Sequence, residues 1–164
     1  MKKLIIALLI ITAAFLPSCR QDSTIPPDFE FTLIWDVCGI SSYDSAVGRL
    51  VKESAATVPE DYITTLILSG EQRENIRGIL NDLDISKYPS KYDPCSGSLS
   101  TPSQTIILSV MYRGKTHTIE CRGIAFEAKE EKGQAFFDAC DAITSILVST
   151  EEWKALPDYE HLYE

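Results

Sequence analysis

The chain has 164 residues, 45% of them apolar, and its 24 acidic side chains outnumber 15 basic ones for a net charge of −9. This length suits one domain with a substantial core. The acidity works against nucleic acid and anionic lipid surfaces as partners, and solubility alone accounts for it.

Lys2 and Lys3 precede an apolar run from Leu4 to Leu16, in which Thr12 is the one polar residue. At 13 residues the run falls short of the roughly 20 that a membrane-spanning helix needs. A charged start, a short apolar core and small residues near its end describe an export signal. The run closes on Leu16-Pro17-Ser18-Cys19, which resembles the lipobox of bacterial lipoproteins: an aliphatic residue three places before a cysteine, with a small residue just ahead of it. Pro17 stands where Ala, Ser or Gly is usual. The resemblance covers only residues 1–19. It implies diacylglyceryl transfer to the Cys19 sulfur, cleavage before Cys19, and acylation of the new terminus. Residues 1–18 are then a signal peptide and Cys19 the membrane attachment, with Arg20 in place of the aspartate of inner-membrane retention pointing to an outer-membrane home. Read instead as an ordinary secretory signal, the segment would be cut elsewhere, such as after Ala14.

Each buried methylene contributes about 0.8 kcal/mol, and stable anchoring takes more than one acyl chain; two or three chains suffice without any transmembrane helix. The stretch Arg20 to Asp28, with Pro26-Pro27, reads as an extended tether, so that residues 19–28 precede a single domain over 29–164. At about 3.1 Å per residue the tether reaches on the order of 25 Å. Losing the signal segment with its two lysines takes the net charge from −9 to −11.

Phe29 to Val37 is β-branched and aromatic and predicts a strand, followed by a turn at Cys38-Gly39-Ile40-Ser41-Ser42 and a second extended stretch over Ala46 to Lys52. Tyr62 to Leu68 predicts another strand. Ser69-Gly70-Glu71-Gln72 has the form of a capping box, and Ile76, Ile79, Leu80 and Leu83 follow at helical spacing, which predicts a helix over 70–83. From Asp84 to Gln104 neither period holds; this is a long loop carrying Tyr88, Tyr92 and Cys95.

Thr105 to Arg113 and Thr116 to Arg122 predict a hairpin with Gly114 and Lys115 as its turn. In that register Val110 faces Ile119 and Leu108 faces Cys121, and Ser109 pairs with Glu120 on the opposite face. A second helix runs from about Lys129 to Val148, with Phe136, Cys140, Ile143 and Leu147 on one stripe. Thr150 caps a short third helix that Pro157 stops. The order β-β-β-α-β-β-α predicts an α+β domain: an antiparallel sheet of about five strands with two main helices on one face.

Four cysteines besides Cys19 are the even set expected to pair in an oxidising compartment. Cys121 points off the sheet and Cys140 off the second helix toward the same core, which suggests Cys121–Cys140 and leaves Cys38–Cys95. No zinc-ligand spacing is present. Neither His117 nor His161 sits in a metal pattern; His117 reads as a structural residue near the hairpin turn. No nucleophile elbow or phosphate-binding glycine loop appears. Asp82 with Asp84, and Glu151 with Glu152, read as solvated helix ends, and Trp35 and Trp153 as core.

Tyr88 and Tyr92 are the residues best suited to recognising a partner, since tyrosine brings large area and a polar tip; the plainer alternative is that they pack back on the domain. The expectation is a protein with no catalytic residues, cofactor or metal: a binding or assembly module at the cell envelope, held to the membrane through lipid on Cys19 and engaging a protein or envelope partner. Inhibition of a lysozyme or protease is a second reading, and envelope hydrolysis through carboxylates a third.

Overall fold

The computed structural model describes residues 24–160. The expected signal peptide, the lipidation site at Cys19 and His161 lie outside the described residues.

The protein is α+β. Six antiparallel strands, β1 (Glu30–Trp35), β2 (Ser41–Asp44), β3 (Arg49–Val51), β4 (Ile63–Thr65), β5 (Gln104–Tyr112) and β6 (Lys115–Ile124), form one sheet in the order β4-β3-β2-β1-β5-β6. Helix α1 (Gly70–Leu83) separates β4 from β5, and α2 (Glu131–Val148) and the short α3 (Glu151–Lys154) follow β6. The first four strands form a meander; after α1 the chain returns to pair β5 with the other side of β1, matching Leu33 to Leu108 and Phe31 to Val110.

Alternation fixes which face is covered. Phe31, Leu33, Trp35, Tyr43, Leu108, Val110, Ile119 and Cys121 point inward and share one core with Ile76, Leu80 and Leu83 of α1 and Phe136, Cys140, Ile143 and Leu147 of α2. Their neighbours Thr32, Ser42, Asp44, Ser109, Thr118 and Glu120 stay only partly covered on the opposite face. Trp35 and Trp153 are both buried, with ring centroids 5.7 Å apart.

Helix α1 spans the residues that its periodicity predicts. The Gln72 amide donates to Ser69 Oγ (3.1 Å) and the Ser69 amide to Gln72 Oε1 (2.8 Å), so the capping box is formed in both directions. The helix stops where Asp84 turns left-handed, at φ 49°.

Three features depart from the sequence reading. Ser41–Asp44 is a strand, not a turn, which gives six strands where about five were expected. Its inward residues explain this: Tyr43 packs on Phe31 at 5.5 Å and its hydroxyl donates to Leu66 O, while the buried Ser41 donates to Lys52 O at 2.5 Å.

The β5–β6 hairpin is also shifted by two residues. Tyr112 faces Lys115, Leu108 faces Ile119 and Ile106 faces Cys121, and Ser109 pairs with Thr118 rather than Glu120, their hydroxyls 2.9 Å apart. The turn is Arg113-Gly114, with φ 51° and 70°. A two-residue hairpin turn of the type whose twist matches the strands needs positive φ at both central positions. Sorting of apolar residues between faces repeats every two residues, so it fixes parity but leaves this shift open.

Third, Ile25, within the segment read as tether, is packed against the domain. Ile25 is buried; its amide donates to Asn81 Oδ1 (2.7 Å) and its carbonyl accepts from Arg77 Nη1 (3.0 Å). The chain thus docks on α1 ahead of Pro26-Pro27.

Candidate functional site

The long loop between α1 and β5 is more ordered in its contacts than its sequence suggests. β6 is an edge strand, and an uncovered edge presents unpaired N–H and C=O groups. The loop covers it at one point: Tyr92 N–H donates to Glu120 O (3.0 Å) and Glu120 N–H to Ser90 O (2.9 Å), a parallel bridge centred on Lys91. The chain then peels away. Pro94 cannot donate to a ladder, and the Asp93 carboxylate accepts from Cys95 N–H (2.8 Å) and Gly97 N–H (2.6 Å), folding residues 93–97 into a tight turn with Ser96 and Gly97 left-handed.

Where loop and strand part, a groove of about 460 Å³ opens, walled by Lys91–Asp93 and Gly97–Leu99 on one side and Glu120 with Arg122–Ile124 on the other. Both carboxylates that line it are engaged with neighbours. Glu120 is paired with Arg122, whose hydrogen bond holds the carboxyl below the usual range, and Asp93 is spent on its turn. Leu99, by contrast, is 87% exposed at the rim.

The loop wall is fixed from behind. Lys129 N–H donates to Pro94 O (3.0 Å). Gly133, in the first turn of α2, lies so close that a Cβ there would stand 2.9 Å from both Cβ and O of Pro94.

Tyr88 and Tyr92, the expected recognition residues, turn inward. Their rings lie 5.3 Å apart and 5.7 and 6.0 Å from Phe136, and Lys132 Nζ sits over both rings. Tyr88 OH donates to Lys132 O. Burial raises the pKa of both phenols. They clamp the loop to α2, and only Tyr92 also borders the groove.

No disulfide is formed among the described residues, so neither the Cys38–Cys95 nor the Cys121–Cys140 bridge is present in this structure. Cys38 is exposed in a left-handed turn (φ 57°), its amide donating to Ser103 O. Cys95 is buried and its thiol donates to Ala125 O at 3.3 Å. Cys121 and Cys140 are buried in the core as expected; burial pushes Cys121 up to about 12 and Cys140 well above its ordinary value. They behave as small apolar residues.

No family model and no curated protein matches this chain. Among the described residues no group of three or more His, Cys, Asp or Glu side chains converges to hold a metal ion, and no helix is long and apolar enough to cross a membrane. His117 stacks on Tyr112 (5.5 Å, 19°), an arrangement that supports the hairpin. Asp84, read as a solvated helix end, instead accepts from Ser86 and Lys87, and these bonds lower its pKa.

Sequence reasoning missed a second polar cluster, beneath the C-terminal strap of residues 156–160. Tyr159 OH donates to Asp36 Oδ2 (2.9 Å) and lies 3.2 Å from Ser41 Oγ. Lys52 Nζ sits 5.7 and 5.5 Å from the rings of Trp153 and Tyr159 and donates to Leu156 O. The Glu160 carboxylate accepts from Thr57, and its amide donates to Glu53 Oε2. Almost every group here has a partner within the cluster, which makes it a fastening for the strap; Glu53 Oε1 is the buried exception. The partners are about a hundred residues apart in sequence, so no local pattern announces them.

Proposed function

We propose that this is a lipid-anchored protein of the bacterial cell envelope, attached through Cys19 to the outer membrane, and that it binds a protein partner without catalysing a reaction. The anchor rests on the Leu16–Cys19 lipobox resemblance. The binding surface is the groove between the loop and β6, with Leu99 at its rim. One observation carries this reading: Glu120 is paired with Arg122 and Asp93 with the amides of its own turn, while a large aliphatic side chain beside them is 87% exposed. A hydrolytic site needs carboxylates available to a substrate, whereas a docking surface needs exposed apolar area framed by fixed polar groups.

The anchor is tested by intact-mass spectrometry of native material. A diacylated Cys19 at the new amino terminus is expected; an uncut leader or a bare Cys19 thiol refutes it. The surface is tested in cells by placing a photo-crosslinking amino acid at position 99 or, as a control, at the exposed Glu152. A discrete adduct from position 99 that the control lacks is expected. The same adduct pattern from both positions refutes the docking surface.

A further inference from the structure

We infer that the groove accepts an extended segment of a partner protein, which continues the pairing of residues 90–92 along β6 by hydrogen-bonding the backbone of Arg122. This rests on the binding reading above and gives it a partner chemistry.

The geometry follows from strand alternation. The N–H and C=O of Glu120 point out of the sheet, since both are taken by Ser90 and Tyr92. Two residues on, those of Arg122 point the same way. The opposite side agrees: Arg122 faces Thr105, whose N–H is directed at Asp36 O, on the far side of β5 from β6. Among the described residues no backbone bond reaches Arg122 from outside β5, because the loop has peeled off at Pro94. The chain itself therefore shows what this edge accepts: an extended backbone, supplied internally at Glu120 and missing at Arg122.

The space fits that occupant. About 460 Å³ lies within the range of peptide and small-ligand sites, and no atom stands within 4 Å of a Cβ built on Gly123. Leu99 offers apolar contact to a side chain of the guest. Lys91 and Arg122 balance Asp93 and Glu120, which disfavours a polyanion in the groove, and the chain's net charge of −9 favours a partner with basic flanks. Strand addition of this kind draws affinity from main-chain bonds and selectivity from alternate side chains.

The test uses the full chain in dodecyl maltoside micelles and a random decapeptide library. Peptides enriched on the wild-type protein are measured against Arg122→Pro, which deletes the outward N–H at an edge position where proline is tolerated, and against Arg122→Ala, which keeps it. Affinity about tenfold or more lower for Arg122→Pro than for Arg122→Ala is expected, the worth of one well-formed hydrogen bond, since both variants lack the side chain and only the alanine keeps the N–H. On the wild-type protein, N-methylation of alternate peptide amides should abolish binding in one phase and spare it in the other, a check that needs no variant to fold. Peptides that bind at the groove but tolerate both Arg122→Pro and N-methylation in either phase overturn strand addition while leaving the docking surface intact. A library that yields no binder overturns it as well; the docking surface is then judged by the crosslinking from position 99.

Discussion

The same substitution, glycine to alanine, should have opposite signs in the two main helices. In α1 a Cβ on Gly78 meets nothing within 4 Å. Alanine there restricts the unfolded chain and improves helix propensity, so Gly78→Ala should stabilise the protein by about 0.5–1 kcal/mol. In α2 the added Cβ of Gly133→Ala would lie 2.9 Å from Pro94 Cβ, 2.9 Å from Pro94 O and 3.1 Å from Ala128 Cβ. A backbone oxygen and a proline ring cannot swing aside, and Pro94 O is held by Lys129 N–H. Overpacking of this kind costs about 1–3 kcal/mol, against a propensity gain of at most about 1 kcal/mol. The net expectation is a loss of about 1–2 kcal/mol. Equilibrium urea unfolding, followed by the fluorescence of the buried Trp35 and Trp153, reads both variants against wild type. If Gly133→Ala proves as stable as Gly78→Ala, Pro94 does not press on α2, and the groove loses its rigid wall.

Ser69→Ala removes one half of the capping box and should cost about 1 kcal/mol by the same urea assay. The core thiols predict alkaline sensitivity. Because folding raises Cys121 to about 12, its contribution to stability is complete below the unfolded thiol range near about 8.5 and is lost as pH climbs from there through the folded value. Unfolding midpoints measured from pH 7 upward should fall less steeply for Cys121→Ala than for wild type; parallel slopes would contradict this. At pH 8 a thiol reagent should modify Cys38 quickly, and Cys121 and Cys140 only as fast as the protein unfolds, which timed mass spectrometry of labelled peptides can follow.

The parts of the fold legible in the sequence are those set by neighbours in the chain. Helix α1 was readable to its ends because the Ser69–Gln72 box and the Ile76–Leu83 stripe are local signals. The stripe Phe136, Cys140, Ile143 and Leu147 of α2 is likewise buried as its spacing predicts. Strand β2 was hidden because its inward positions are Ser41 and Tyr43, whose hydroxyls find partners on Lys52 and Leu66, where an apolar pattern would have announced it. The hairpin shift turned on Arg113 accepting positive φ, a conformation glycine or asparagine signals more plainly. The groove was only half visible. The loop was marked by its prolines and tyrosines, but Tyr88 and Tyr92 serve to hold it down, and the exposed side chain is Leu99. The pairing of Lys91 with Glu120 spans too much chain for any spacing rule to foresee.

The docking of Ile25 on α1 has a mechanical consequence. Under the proposed lipid anchor, tension arriving through the amino terminus would meet the grip of Asn81 and Arg77 on the Ile25 backbone before it reached Phe29 and β1. In that proposed arrangement a tug from the bilayer would first have to pry that residue from its seat, sparing the central strand of the sheet the load.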